Sequence, residues 1–92
     1  MTFVWDEEKA RKNVVKHGID FETACRVFGD PFRVEWYDSD HSSYEERYIT
    51  IGMVDHKCCI LFVSYTEWDD IVRIISARKT TEKERRLYYD RS

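Results

Sequence analysis

Two arginines stand inside an otherwise apolar stretch, Ile71-Val72-Arg73-Ile74-Ile75-Ser76-Ala77-Arg78. A guanidinium among such neighbours needs a carboxylate or a phosphate, because an unpaired buried charge is very costly. Read as a strand, the stretch sends Arg73 and Arg78 to opposite faces, their separation being odd, unless a bulge realigns them. One then meets a ligand and the other a structural partner; for either, a purely structural salt bridge weighs as much as a functional role. His17, between Lys16 and Gly18, is the next candidate. At a helix end a protonated imidazole interacts well with the C-terminal dipole, which alone accounts for it. Beside a basic groove the same ring serves as general acid or base near neutral pH. Trp68 is the aromatic suited to stacking on a base or meeting a partner, whereas Trp5 and Trp36 fit a core better than a stacking platform.

Other site classes find little support. The chain has no Gly-rich phosphate loop, no Cys-x-x-Cys, no His-x-x-x-His and no Gly-x-Ser-x-Gly. His17, His41 and His56 fall on three separate elements with no cysteine at ligand spacing, which leaves no zinc motif. Asp38-x-Asp40-His41 has residue types that suit a hard cation, although a solvated acidic loop is the simpler reading. Of the three cysteines, Cys58 and Cys59 are adjacent in an apolar run and point to opposite faces of a strand. They read as small hydrophobes in a reducing compartment rather than as a disulfide.

These residues must be positioned by a single small domain, since 92 residues seldom support two cores. One proline and three glycines leave no room for a flexible linker. No apolar run approaches the length of a membrane span, and the N-terminus lacks the basic and apolar regions of a signal peptide, so a cytosolic location is expected. The net charge of -3 argues against a general nucleic-acid coat, but its distribution is uneven. Asp30 to Glu46 carries six acids against one arginine; Arg73 to Ser92 carries seven lysines or arginines against three acids. A phosphate backbone suits the second segment and a cationic partner the first.

Along the chain, Phe3-Val4-Trp5 reads as a strand. A helix follows from the Asp6 cap to about His17 and is ended by Gly18. Asp20 caps a short second helix carrying Phe21, Ala24, Cys25 and Phe28, which Gly29 and Pro31 stop. From Phe32 the period becomes two through Tyr37, marking a strand, and Asp38 to Glu46 is a polar loop. Strands at Arg47 to Val54, Cys58 to Thr66 and Ile71 to Arg78 follow. Their short connections, Asp55-His56-Lys57 and Glu67-Trp68-Asp69-Asp70, make them antiparallel neighbours. Thr81-Glu82-Lys83-Glu84 is a capping box that opens a last helix. The expected class is α+β, an antiparallel sheet with helices packed on one face, in the order βααββββα.

Taken together, several segments resemble the BrnT family. They are Phe3-x-Trp5-Asp6, Lys16-His17-Gly18-Ile19, Phe21-Glu22-x-Ala24 and Val27-Phe28-Gly29-Asp30-Pro31. In the second half they are His41-Ser42-x-x-Glu45-Glu46-Arg47, Ile51-Gly52, Arg73-Ile74-Ile75-Ser76-Ala77-Arg78 and Thr81-x-x-Glu84-Arg85-x-x-Tyr88. The resemblance covers nearly the whole chain in order, while Cys58-Cys59 and Trp68 depart from it. It implies a RelE-like fold and a ribonuclease toxin of a type II toxin–antitoxin pair that inhibits translation. It also implies a hetero-oligomer with a BrnA-like antitoxin, whose ribbon-helix-helix part binds operator DNA. The RNA would be cut without a metal or cofactor, through attack by the neighbouring 2′-hydroxyl. Under the resemblance, Arg47, Arg73 and Arg78 are the candidates for phosphate contacts, with Lys16 assisting. His17 or Glu46 is the candidate proton carrier, Glu46 being equally able merely to orient Arg47. Trp5, Ser76, Arg85, Arg86 and Tyr88 complete the RNA-contacting set. The rival readings are a non-catalytic module that binds a DNA-binding partner, and a metal-dependent nuclease using Asp38 and Asp40.

Overall fold

The computed structural model describes residues 1–55 and 59–91. Its elements are β1 (Thr2–Val4), α1 (Glu7–His17), α2 (Phe21–Cys25), β2 (Val34–Tyr37), β3 (Tyr48–Val54), β4 (Cys59–Trp68), β5 (Ile71–Lys79) and α3 (Glu82–Arg91). Two short 3₁₀ turns, at Arg26–Gly29 and Ser39–His41, are interposed. The residues His56 and Lys57 of the expected β3–β4 connection, and Cys58 of the cysteine pair, lie outside the described residues.

Local signals in the sequence set the helix ends. The Asp6 carboxylate accepts from the backbone N–H of Glu8 and Lys9, at 2.9 and 3.0 Å, and opens α1. Gly18, at φ 72°, closes it in the left-handed region with its N–H on the Val14 carbonyl. At α3 the capping box is reciprocal: Thr81 N–H donates to the Glu84 carboxylate, and Glu84 N–H donates to the Thr81 hydroxyl.

The five strands form one sheet in the order β1-β5-β4-β3-β2. The sheet is mixed rather than antiparallel, because β1 pairs in parallel with β5, Thr2 opposite Ile71 and Val4 opposite Arg73. A parallel neighbour needs a long crossover, which everything between Val4 and Ile71 supplies. The helices also occupy both faces rather than one. On the first face Ala10, Phe21, Ala24 and Val27 pack against Leu61, Val63, Tyr65, Val72, Ile74 and Ala77. On the second, Tyr88 and Leu87 of α3 pack against Val34, Ile51, Ile60 and Phe62. The reason is visible in β3 and β4, whose Ile-Thr-Ile-Gly-Met-Val and Cys-Ile-Leu-Phe-Val runs are apolar on both sides and need cover on both.

Two irregularities matter for function. Pairing passes from Ser64–Ser76 to Tyr65–Ile74, so Ile75 is an extra residue in β5, a bulge. β1 reaches only as far as Arg73, which leaves the later part of β5 at the sheet edge. There the Asn13 side chain takes a strand's place, its amide donating to the Ala77 carbonyl (2.8 Å) and its oxygen accepting from the Ala77 N–H (3.2 Å). Trp68 is not in a turn: it ends β4 opposite Ile71, and the turn is Asp69–Asp70, with Asp69 at φ 52°.

Candidate functional site

The second sheet face is covered by α3 only in part. Beyond the helix, alternation and register bring four polar residues into a row, two within β4 and β5 and two just beyond the ends of β2 and β3. Thr66 of β4 pairs with Arg73 of β5. One residue beyond Tyr48–Tyr65, Arg47 stands opposite Thr66, and one beyond Tyr37–Tyr48, Asp38 stands opposite Arg47. The last pairing is held by the Asp38 N–H on the Arg47 carbonyl, 2.8 Å. With strands about 4.8 Å apart, Asp38, Arg47, Thr66 and Arg73 span the sheet.

Glu45 bridges the two cations. Its oxygens lie 2.6 and 2.5 Å from Nη2 of Arg73 and 3.7 Å from Nε of Arg47. The 3.7 Å separation from Arg47 is too long for a hydrogen bond. Arg47 Nε and Thr66 Oγ1 are buried and lack a hydrogen-bond partner among the described residues. Such atoms are rare and point to a ligand or ordered water. At the other end of the row the His41 ring nitrogen Nδ1 lies 3.0 and 3.2 Å from the two Asp38 oxygens. Ser42 fastens the loop, donating to the Asp38 carbonyl and accepting from the Arg47 N–H at 3.0 Å. A carboxylate held between two guanidinium groups occupies a place that a phosphate oxygen would fit equally well.

The residues expected at the site divide clearly. Arg47 and Arg73 are in the row. Arg78 projects from the same face, because the Ile75 bulge restores its parity with Arg73, but its cation is already engaged. It forks onto Glu84 at 2.8 and 2.9 Å and lies 3.9 Å from the Phe62 ring centroid. Its hydrogen bonds to Glu84, ahead of the opposing effect of burial, raise the guanidinium's pKa, and Arg78 in turn lowers that of the carboxyl. Ser76 also faces this side, opposite Ser64. Glu46 does not join the row: it is exposed and acts on Tyr48, which belongs to the first face, raising its pKa. The acid beside the arginines is Glu45, and its two-residue spacing from Arg47 was the available signal.

Tyr88 is 4% exposed and its hydroxyl donates to Asp30 at 2.6 Å, so it is committed to the core and to α3 docking rather than to RNA. Trp5 is likewise a core residue, edge-on to Phe21 at 6.1 Å. Lys16 and His17 end α1, on the first face, and make no hydrogen bond or ion pair with the row among the described residues. Arg86 pairs with Glu82 at 3.7 Å and Arg85 lies over Tyr89, both on exposed parts of α3. Thr66 and Asp38 were missed as parts of one site, because only the pairing register reveals the row.

Two other features are less suited to chemistry. On the first face Tyr65, fully buried, donates to Glu35, which also accepts from Arg33 at 2.7 Å. Burial opposes the Glu35 charge, but the Tyr65 and Arg33 hydrogen bonds outweigh it and hold the carboxyl below its usual range. The cluster satisfies itself and reads as structure. A cleft of about 1110 Å³ lined by Phe28, Phe32, Met53 and Tyr89 is mainly apolar, and its Arg26 is paired with Asp55 at 3.1 Å. Among the described residues no three His, Cys, Asp or Glu side chains gather as a metal would require, and no helix is long and apolar enough to cross a membrane.

A family described as ribonuclease toxin, BrnT, of type II toxin–antitoxin system matches residues 5–84. The crystal structure of the Brucella abortus ribonuclease toxin BrnT is similar over 89% of this chain and 99% of that one, with a TM-score of 0.67 and 23% identity. That likeness is one of fold. No curated protein matches the chain.

Proposed function

The chain belongs to the family of BrnT ribonuclease toxins of type II toxin–antitoxin systems, and on that premise we propose that it cuts RNA on the second sheet face without a metal. The observation that carries this reading is the pair of buried atoms without a hydrogen-bond partner among the described residues, Arg47 Nε and Thr66 Oγ1, beside the half-engaged guanidinium of Arg73. Among the described residues Arg73 gives Glu45 only Nη2, which leaves Nη1 and Nε for a second anion. A phosphodiester that takes over the place of the Glu45 carboxylate would meet Arg47, Thr66 and Arg73 together. As the 2′-oxygen attacks phosphorus, charge grows on the equatorial oxygens, and donors already fixed on adjacent strands stabilise it without reorganising. Ser76 and the exposed Arg85 and Arg86 extend the surface that flanking phosphates would track. We assign the fold to the RelE-like group on the same premise, in keeping with the helix-covered sheet.

Membership of a type II toxin–antitoxin family implies an antitoxin partner. We propose a ribbon-helix-helix protein of the BrnA kind, which neutralises the toxin in a hetero-oligomer and alone carries the complex to operator DNA, in the cytoplasm.

The test is cleavage of RNA by the purified chain in excess chelator, with a 2′-deoxy substitution at the cut site as control. Cleavage that survives the chelator and stops at the deoxy position is expected. Loss in chelator would favour a metal nuclease, and intact RNA together with normal growth on expression would favour a non-catalytic module.

A further inference from the structure

We propose that His41, oriented by Asp38, is the general base for 2′-hydroxyl attack; the proposal rests on the ribonuclease reading above. His41 sits in the 3₁₀ turn that follows β2, with its side chain 67% exposed, whereas the Asp38 side chain bonded to it is only 11% exposed. An ionised carboxylate accepts hydrogen bonds and does not donate, so Nδ1 carries the hydrogen toward Asp38. That leaves the Nε2 lone pair on the solvent side of the ring. A buried carboxylate behind an exposed imidazole is the arrangement by which a second residue fixes the tautomer and aim of a working histidine.

Position within the fold supports the same role. Asp38 is the end member of the row whose next members are Arg47 and Thr66, and the Asp38–Arg47 pairing is closed by two further hydrogen bonds through Ser42. The dyad is therefore rigidly joined to the phosphate-binding cations instead of being carried on a free loop. It stands on the same face as they do, unlike His17 and Glu46.

In the step itself, Nε2 of His41 takes the 2′-hydroxyl proton as O2′ bonds to phosphorus. The P–O5′ bond breaks, its electron pair stays on O5′, and O5′ takes a proton from water. The products are a 2′,3′-cyclic phosphate and a 5′-hydroxyl, and the imidazolium returns its proton to solvent. Asp38 is a positioning residue here, since it touches only the ring.

The experiment compares the full chain with His41→Ala, His41→Gln and Asp38→Asn, measuring kcat and KM on RNA and binding of an uncleavable 2′-deoxy analogue. Loss of a general base lowers kcat about 100-fold or more, and loss of its orienting carboxylate lowers kcat about 10–100-fold. KM and analogue binding are expected to stay within about twofold in all three. His41→Gln can still donate to Asp38 and hold the loop, so it must fall as far as His41→Ala; activity retained in it makes His41 a structural residue and overturns the proposal. A substrate with sulfur at the 5′ bridging position, whose leaving group needs no acid, must not restore His41→Ala. Restoration would make His41 the acid instead of the base. If the unaltered chain leaves RNA intact, the ribonuclease reading fails first; if it cuts and His41→Ala cuts equally well, only the base assignment falls.

Discussion

Arg73 and Arg78 lie five residues apart on β5 and still project from the same face, because Ile75 is inserted between them without a partner on β4. They nevertheless differ in role. Arg78 gives two nitrogens to Glu84 and covers Phe62, while Arg73 gives one nitrogen to Glu45. Arg78→Ala is therefore expected to cost about 1–2 kcal/mol of stability through the lost fork and cation–π contact. Cleavage should persist below its lowered melting temperature. Arg73→Ala should leave the melting temperature nearly unchanged and reduce kcat/KM at least tenfold. Parallel thermal melts and RNA cleavage assays decide it, and the reverse pattern would exchange the two roles.

If RNA is cut on this face as proposed, Glu45, which holds Arg73, competes with the incoming phosphate. Glu45→Gln removes the negative charge and keeps the shape, so a 2′-deoxy RNA analogue should bind about 2–5-fold more tightly, the scale of a partly exposed ion pair. The gain should shrink as salt rises. Fluorescence anisotropy at two salt concentrations measures both. Weaker binding would mean that Glu45 serves to aim Arg73 rather than to occupy it.

Asp30 gives the structure an acid limit. Burial works against its charge, but the Met53 N–H, the Tyr88 hydroxyl and the Phe32 N–H all donate to it and hold its pKa below the ordinary value. A carboxyl depressed on folding stabilises the protein above its unfolded pKa, and that contribution is lost as pH falls through the folded one. Stability should thus decline below about pH 4. Asp30→Asn should flatten that decline and cost about 1–2 kcal/mol at neutral pH through poorer acceptors for three donors. Denaturant melts between pH 3 and pH 7 check both.

Gly52 is needed for close approach. A Cβ there would stand 2.7 Å from Val27 Cγ1 and 3.2 Å from the Val27 carbonyl oxygen, where the 3₁₀ turn crosses β3. Gly52→Ala should destabilise by about 1–3 kcal/mol, as overpacked cores do. An unchanged unfolding midpoint would show that the turn can slide away.

Element types were largely legible in the sequence, because their signals are local: Asp6 and Gly18 around α1, and Thr81 with Glu84 before α3. What eluded it depends on pairing between distant strands. The two-faced cover of the sheet was foreshadowed by the apolar runs of β3 and β4, but the parallel seat of β1 beside β5 leaves no mark within three residues. The site was half legible. Arg47 and Arg73 stand out by residue type, but which of Glu45 and Glu46 lies beside them depends on strand parity. The Ile75 bulge is silent in a run of β-branched residues. Asp38 and His41, read as a loop, acquire meaning only opposite Arg47.

Asn13 acts as a stopper on the open edge of β5. A strand with one side unpaired is a template on which another copy of the same chain can be laid down, and a protein made in quantity with such an edge drifts toward aggregates. By pairing its amide with Ala77, Asn13 removes one hydrogen-bonding rung from that template using a residue of a neighbouring helix. Growth of the sheet past β5 is thereby discouraged at the cost of a single side chain. The same bonds tie the helix that ends in His17 to the strand that bears Arg73.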